Sequence, residues 1–154
     1  MNKLLSSLSK NEWLILVLPM LSGFYAAFNC RTTKNAGSVV PFRPEPWFFS
    51  VIWPILYVML GLSWVITRRS NIKYTDLFYG GTTLILTSWI IVYSCFNEKI
   101  KATWVLGLSL CGIILCMQIS KLNARLMLTP LLSWAIFAIL MNTSEVLILK
   151  NKSN

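Results

Sequence analysis

Little of the chemistry that side chains usually carry is open to this chain. It has no histidine, which removes a histidine-ligated haem, a Ser-His-Asp triad and nearly all zinc hydrolase sites. There is no glycine-rich phosphate loop either. Of five acidic residues, only Asp76 and Glu145 fall inside an apolar segment, and two distant carboxylates do not make an acid–base pair. The four cysteines, Cys30, Cys95, Cys111 and Cys116, have no metal-ligand spacing, so they read as small packing residues and no metal site is expected. What stands out is tryptophan, at positions 13, 47, 53, 64, 89, 104 and 134. Aromatic side chains at helical spacing form faces that hold something.

Three such faces can be drawn. Trp53, Tyr57 and Gly61 are spaced four apart and share one side of a helix, two rings and a glycine notch. Trp89, Tyr93 and Phe96 form a second stripe. Trp134, Ala138, Asn142 and Glu145 form a third at steps of four, four and three, with Phe137 and Met141 beside them. An amide and a carboxylate facing lipid would cost several kcal/mol, so this last face is expected to look into the protein or towards a polar end. Trp13, Trp47 and Trp104 open their segments and read as interfacial anchors. For the deeper tryptophans, ordinary helix packing and a pocket wall both remain open.

The elements that position these residues follow from composition. At 56% hydrophobic and 12% charged residues in 154, the chain carries more apolar surface than a soluble core of that size buries. We read it as an all-α integral membrane protein, a five-transmembrane-helix bundle in a single domain over 1–154. The apolar segments run at about 12–28, 46–66, 74–96, 102–119 and 126–149, each near the ~20 residues that cross a bilayer. Gly61, Gly107 and Gly112 are expected at helix contacts, where close backbone approach supplies much of the packing energy in lipid.

The net charge of +9 belongs to the connections, and with no basic stripe interleaved with aromatics a nucleic-acid partner is not expected. One side of the membrane receives Lys3, Lys10, Arg68, Arg69, Lys73, Lys121 and Arg125; the other receives Arg31, Lys34, Arg43, Lys99, Lys101, Lys150 and Lys152. Seven against seven leaves the charge rule tied, and sidedness open. The first segment reads as a retained helix, because no good cleavage pattern follows Ala26-Ala27. The terminal residues carry both a lysine retrieval spacing and an Asn151-Lys152-Ser153 sequon, which no single topology can use together, and either can arise by chance. The host membrane is left open.

The second segment resembles the signature of the TspO family, the tryptophan-rich sensory proteins. The family pattern Trp-x-Pro-Pro, then Trp-x-Phe-Gly-Pro-Val-Trp-x-x-Leu-Tyr-x-x-Met-Gly, is matched here by Phe42, Pro44, Trp47, Phe49, Trp53, Leu56, Tyr57 and Gly61. The last segment is similar to the family's Pro-Tyr-Leu-Ala-Trp-x-x-Phe-Ala-x-x-Leu-Asn through Pro130, Leu132, Trp134, Phe137, Ala138, Met141 and Asn142. Ser120 to Leu126 resembles the run that precedes it. The departures are Phe42 for a tryptophan, Glu45 for the second proline, Leu86 for an asparagine, Leu131 for a tyrosine, and the absence of the cholesterol-motif tyrosine.

What the resemblance implies is a five-helix bundle, a homodimer in most members, whose pocket opens towards the first loop and binds porphyrins, haem and related lipophiles. The ligand-binding residues it implies are Trp47, Phe49, Trp53, Tyr57, Trp89, Trp134, Phe137, Ala138 and Asn142. Cofactors are none beyond porphyrin or haem as ligand. Some members promote light-dependent breakdown of protoporphyrin, and for that activity the resemblance makes Trp53 and Trp134 the catalytic pair. Three functions follow as alternatives: a receptor or carrier for tetrapyrroles, a light-dependent protoporphyrin-degrading enzyme, and a structural subunit that has lost the ligand. Physically, aromatic walls suit a flat macrocycle, and Arg31, Lys34 and Arg43 stand where cations meet its carboxylates, although simple membrane flanking accounts for them equally.

Overall fold

The computed structural model describes residues 8–30 and 37–153. These form five helices, numbered in chain order: α1 Lys10–Asn29, α2 Pro46–Arg69, α3 Thr75–Ile90, α4 Lys99–Ile119 and α5 Leu122–Ser153. A π-helical turn, Ile91–Cys95, continues α3. Each of the five spans, α3 taken with its π turn, is long and apolar enough to cross a bilayer, and among the described residues there is no strand.

The helices overrun the apolar segments at most ends, because a backbone helix continues into polar flanks that hydropathy excludes. The start of α1 is set by a capping box: the Ser9 hydroxyl accepts from the Glu12 N–H, and the Glu12 carboxylate accepts from the Ser9 N–H at 2.8 Å. Pro46 begins α2, where its missing N–H costs nothing. Asn71 and Tyr74, both at positive φ, turn the chain from α2 into α3, and Asn97 does the same before α4. At 32 residues, α5 is about 48 Å long, well beyond a ~30 Å hydrocarbon layer, so its polar ends emerge into water.

Around the bundle the order is α1, α2, α5, α4, α3 and back to α1, with α2 also reaching α3. Leu56, Leu60, Val65, Leu86, Ile113, Leu128 and Leu131 fill the centre, while Phe28, Trp104 and Leu84 face outwards. Two of the expected glycine contacts are present. A Cβ on Gly61 would strike the Leu16 backbone of α1, and one on Gly112 would lie 2.6 Å from Thr82 Oγ1 of α3. Gly107 is a correction: a Cβ there would meet nothing within 4 Å. Glycine content alone does not say which side of α4 meets a neighbour.

The cysteines need a correction as well. Cys30 and Cys95, 65 residues apart, form a disulfide. Cys116 is buried, as a packing residue should be, and Cys111 is exposed. The pairing arises because α1 runs in one direction and α3 also reaches the same end of the bundle, which spacing along the chain does not reveal.

Candidate functional site

A cavity of about 300 Å³ lies between α1, α2, α3 and α5 at the end of the bundle carrying the disulfide. Its α2 wall is Phe49, Trp53 and Tyr57, its α3 wall Trp89 and Tyr93, its α1 wall Gly23, Phe24 and Ala27, and its α5 side Met141 and Asn142. Gly23 is required here: any side chain on it would collide with the ring of Tyr57. Without that gap α1 could not approach α2 this closely.

The rings form a continuous series. Trp53 stacks on Tyr57 at 5.6 Å between centroids and inclines against Trp89 at 5.5 Å; Trp89 in turn meets Tyr93 at 5.6 Å. Behind this layer Trp134 makes an edge contact with Trp53 at 6.3 Å and another with Phe49 at 5.8 Å. Phe137 packs on Trp134 and on Phe42.

Of the residues implied by the family pattern, Phe49, Trp53, Tyr57, Trp89 and Asn142 therefore line the cavity together. Trp134 and Phe137 form the second layer, and Ala138 is buried at 2% exposure without being part of the lining. Trp47 is 62% exposed and packs edge-on against the neighbouring Phe48. From the stripe Trp89, Tyr93, Phe96, the last member faces outwards at 66% exposure. The wider π turn between Ile91 and Cys95 has rotated it off the inward face. The α1 wall and Ser94 were not legible as site residues; the small residues Gly23, Ala26 and Ala27 were the only hint in α1.

The polar groups divide into satisfied and unsatisfied sets. Glu145 is buried and accepts a 2.6 Å hydrogen bond from the Tyr93 hydroxyl. Lys99 lies 3.4 Å over the Tyr93 ring and brings a cation to the same corner. Thus Asn142 and Glu145 both point inwards, as the cost of exposing them to lipid requires. By contrast, Tyr57 Oη, Trp89 Nε1, Trp134 Nε1 and Asn142 Nδ2 are buried with no hydrogen-bond partner among the described residues. In an apolar medium an unmade bond of this kind costs about 1–3 kcal/mol. Three of the residues that carry these donors, Tyr57, Trp89 and Asn142, line the cavity. Arg43, whose guanidinium sits 5.6 Å from the Phe49 ring centre, completes the loop side. Arg31 and Lys34 lie outside the described residues.

This aromatic slot within five membrane-spanning helices coincides with a family match: the model of the TspO/MBR family matches residues 13–147. The chain belongs to the TspO/MBR family. No curated protein matches the sequence. As a TspO/MBR protein it is an integral, multi-pass membrane protein, a membrane receptor or transporter of that family.

Proposed function

We propose that the cavity binds porphyrin- or haem-type tetrapyrroles and related lipophiles, and that this TspO/MBR protein is their receptor or carrier. The observation supporting this most is the series Tyr57, Trp53, Trp89, Tyr93, with successive centroids 5.5–5.6 Å apart. A flat conjugated ligand gains about 0.5–1.5 kcal/mol per ring pair against such a wall, beyond the area it buries. At about 300 Å³ the cavity is at the lower limit for pockets that enclose a drug-sized molecule. A macrocycle would therefore enter by one edge and leave its carboxylates at the loop side, near Arg43. The tetrapyrrole is a ligand in this reading, and assembly as a homodimer is part of the same proposal.

A second reading, light-dependent degradation of protoporphyrin, is favoured by the contact of Trp53 with Trp134 at 6.3 Å, which sets one oxidisable indole at the wall and another directly behind it. Both readings are tested by titrating purified protein with protoporphyrin in darkness, following tryptophan quenching, and then illuminating the complex. Saturable binding with stable pigment supports the receptor, and binding with loss of pigment supports the enzyme. No saturable binding overturns both and leaves a structural subunit.

A further inference from the structure

We infer that the Cys30–Cys95 bond is a redox latch on the cavity wall: oxidised, it holds the end of α1 against the π turn; reduced, it lets that wall part and ligand exchange. The inference goes beyond the tetrapyrrole reading, since it concerns the wall whichever lipophile enters.

Along the whole of α1, buried anchors alternate with outward-facing side chains. Ile15 and Leu16 pack into the core, the Leu16 backbone rests against Gly61, and the Ser22 hydroxyl accepts from Thr87 at 3.0 Å. Past Gly23, Ala26 and Cys30 are buried while Phe24, Tyr25 and Phe28 face outwards, as Trp13, Leu14 and Leu21 do in the first half. This second half supplies Phe24 and Ala27 to the cavity, which Tyr93 and Ser94 of the π turn also line. Cys30 caps α1 and Cys95 ends the π turn, so the bond joins the two rims of one wall. A cross-link between two rims restricts their separation directly.

The redox chemistry balances through thiol–disulfide exchange. One cysteine thiolate attacks an external disulfide, small-molecule or protein, forms a mixed disulfide and expels a thiolate. The second cysteine thiolate then displaces the remaining external sulfur as a second thiolate. The cysteine pair loses two electrons and two protons, and the external disulfide leaves as two thiols. A dithiol reductant reverses both steps. The bond therefore persists where this end of the bundle faces an oxidising compartment.

The test uses the full chain in its membrane, with thiols blocked during isolation. Denatured in the blocking reagent, the protein should carry two blocked thiols, Cys111 and Cys116, and take up two labels, on Cys30 and Cys95, after reduction. Amide hydrogen exchange is compared between oxidised and reduced wild type, and with Cys30→Ser/Cys95→Ser. Reduction should speed exchange over Phe24–Asn29 by roughly tenfold while leaving α4 unchanged, and preloaded protoporphyrin should leave faster by a similar factor. Four free thiols at isolation, or equal exchange rates in both states, would overturn the latch. Because wild type is compared with itself, a folding defect in the double variant does not blunt the result. Should protoporphyrin bind neither state, the tetrapyrrole reading fails and the amide rates alone decide the latch.

Discussion

Two buried tyrosines on neighbouring helices define opposite ends of this molecule. Tyr79 stacks on Trp64 at 5.9 Å, and its hydroxyl lies 2.7 Å from Ser63, 2.7 Å from Ser120 and 3.1 Å from Thr67. Tyr57 stacks on Trp53 at 5.6 Å in much the same way, but its hydroxyl has no partner among the described residues. At the Tyr79 end every helix but α1 joins one network, since Ser63 also donates to the Ala124 carbonyl of α5 at 2.9 Å. The Trp64 indole donates to Asp76 at 2.8 Å, closing the network towards the surface. In lipid there is no water to satisfy a stray polar group, so a completed network marks a scaffold. The incomplete set around Trp53 is what the proposed ligand would complete.

The largest effect that would break this contrast is expected at Trp134. It stands behind the wall rather than in it, so Trp134→Ala should remove the support of Phe49 and Trp53 and cost about 3 kcal/mol of stability, read as thermal unfolding in detergent. Loss of ligand binding without loss of stability would return Trp134 to the lining. Next comes the tyrosine pair. Tyr79→Phe should cost about 1–2 kcal/mol, since the hydroxyls of Ser63, Thr67 and Ser120 lose their hub, whereas Tyr57→Phe should leave the ligand-free protein within about 0.5 kcal/mol of wild type. Equal losses would erase the distinction between the two ends.

Smaller effects sharpen the contrast. Asn142→Leu replaces an unpartnered buried amide with an apolar group of similar size, so ligand-free stability should hold or rise. Protoporphyrin affinity should fall by about tenfold, the value of one hydrogen bond near 1.4 kcal/mol. A stability loss instead would mean that the amide has a structural partner. Trp53→Phe keeps a ring on the wall and should weaken binding by no more than about threefold, yet abolish any light-dependent pigment loss, because phenyl differs from indole far more in redox behaviour than in shape. Bleaching at the wild-type rate in this variant would remove Trp53 from the photochemistry.

Much of this was legible in the amino-acid order. Runs of apolar residues near the thickness of a bilayer dictate five spans, and the charges that end them have nowhere else to go. The burial of Asn142 and Glu145 follows from the cost of presenting an amide or a carboxylate to hydrocarbon, whatever the neighbours are. The same holds for Trp53 and Tyr57, four apart on one helical face.

Only the tertiary structure decided which faces meet. Periodicity says that residues share a side of a helix, but a uniformly apolar helix such as α4 has no polar stripe to orient it, and Gly107 turned outwards while Gly112 turned in. The π turn added a residue to one helical repeat and carried Phe96 out of the stripe that begins with Trp89. The satisfied hydroxyl network draws on residues from position 63 to position 120 that carry no local signal of one another. Cys30 and Cys95 came together in the same way, because helix direction and length, not spacing along the chain, deliver two side chains to one end of a bundle.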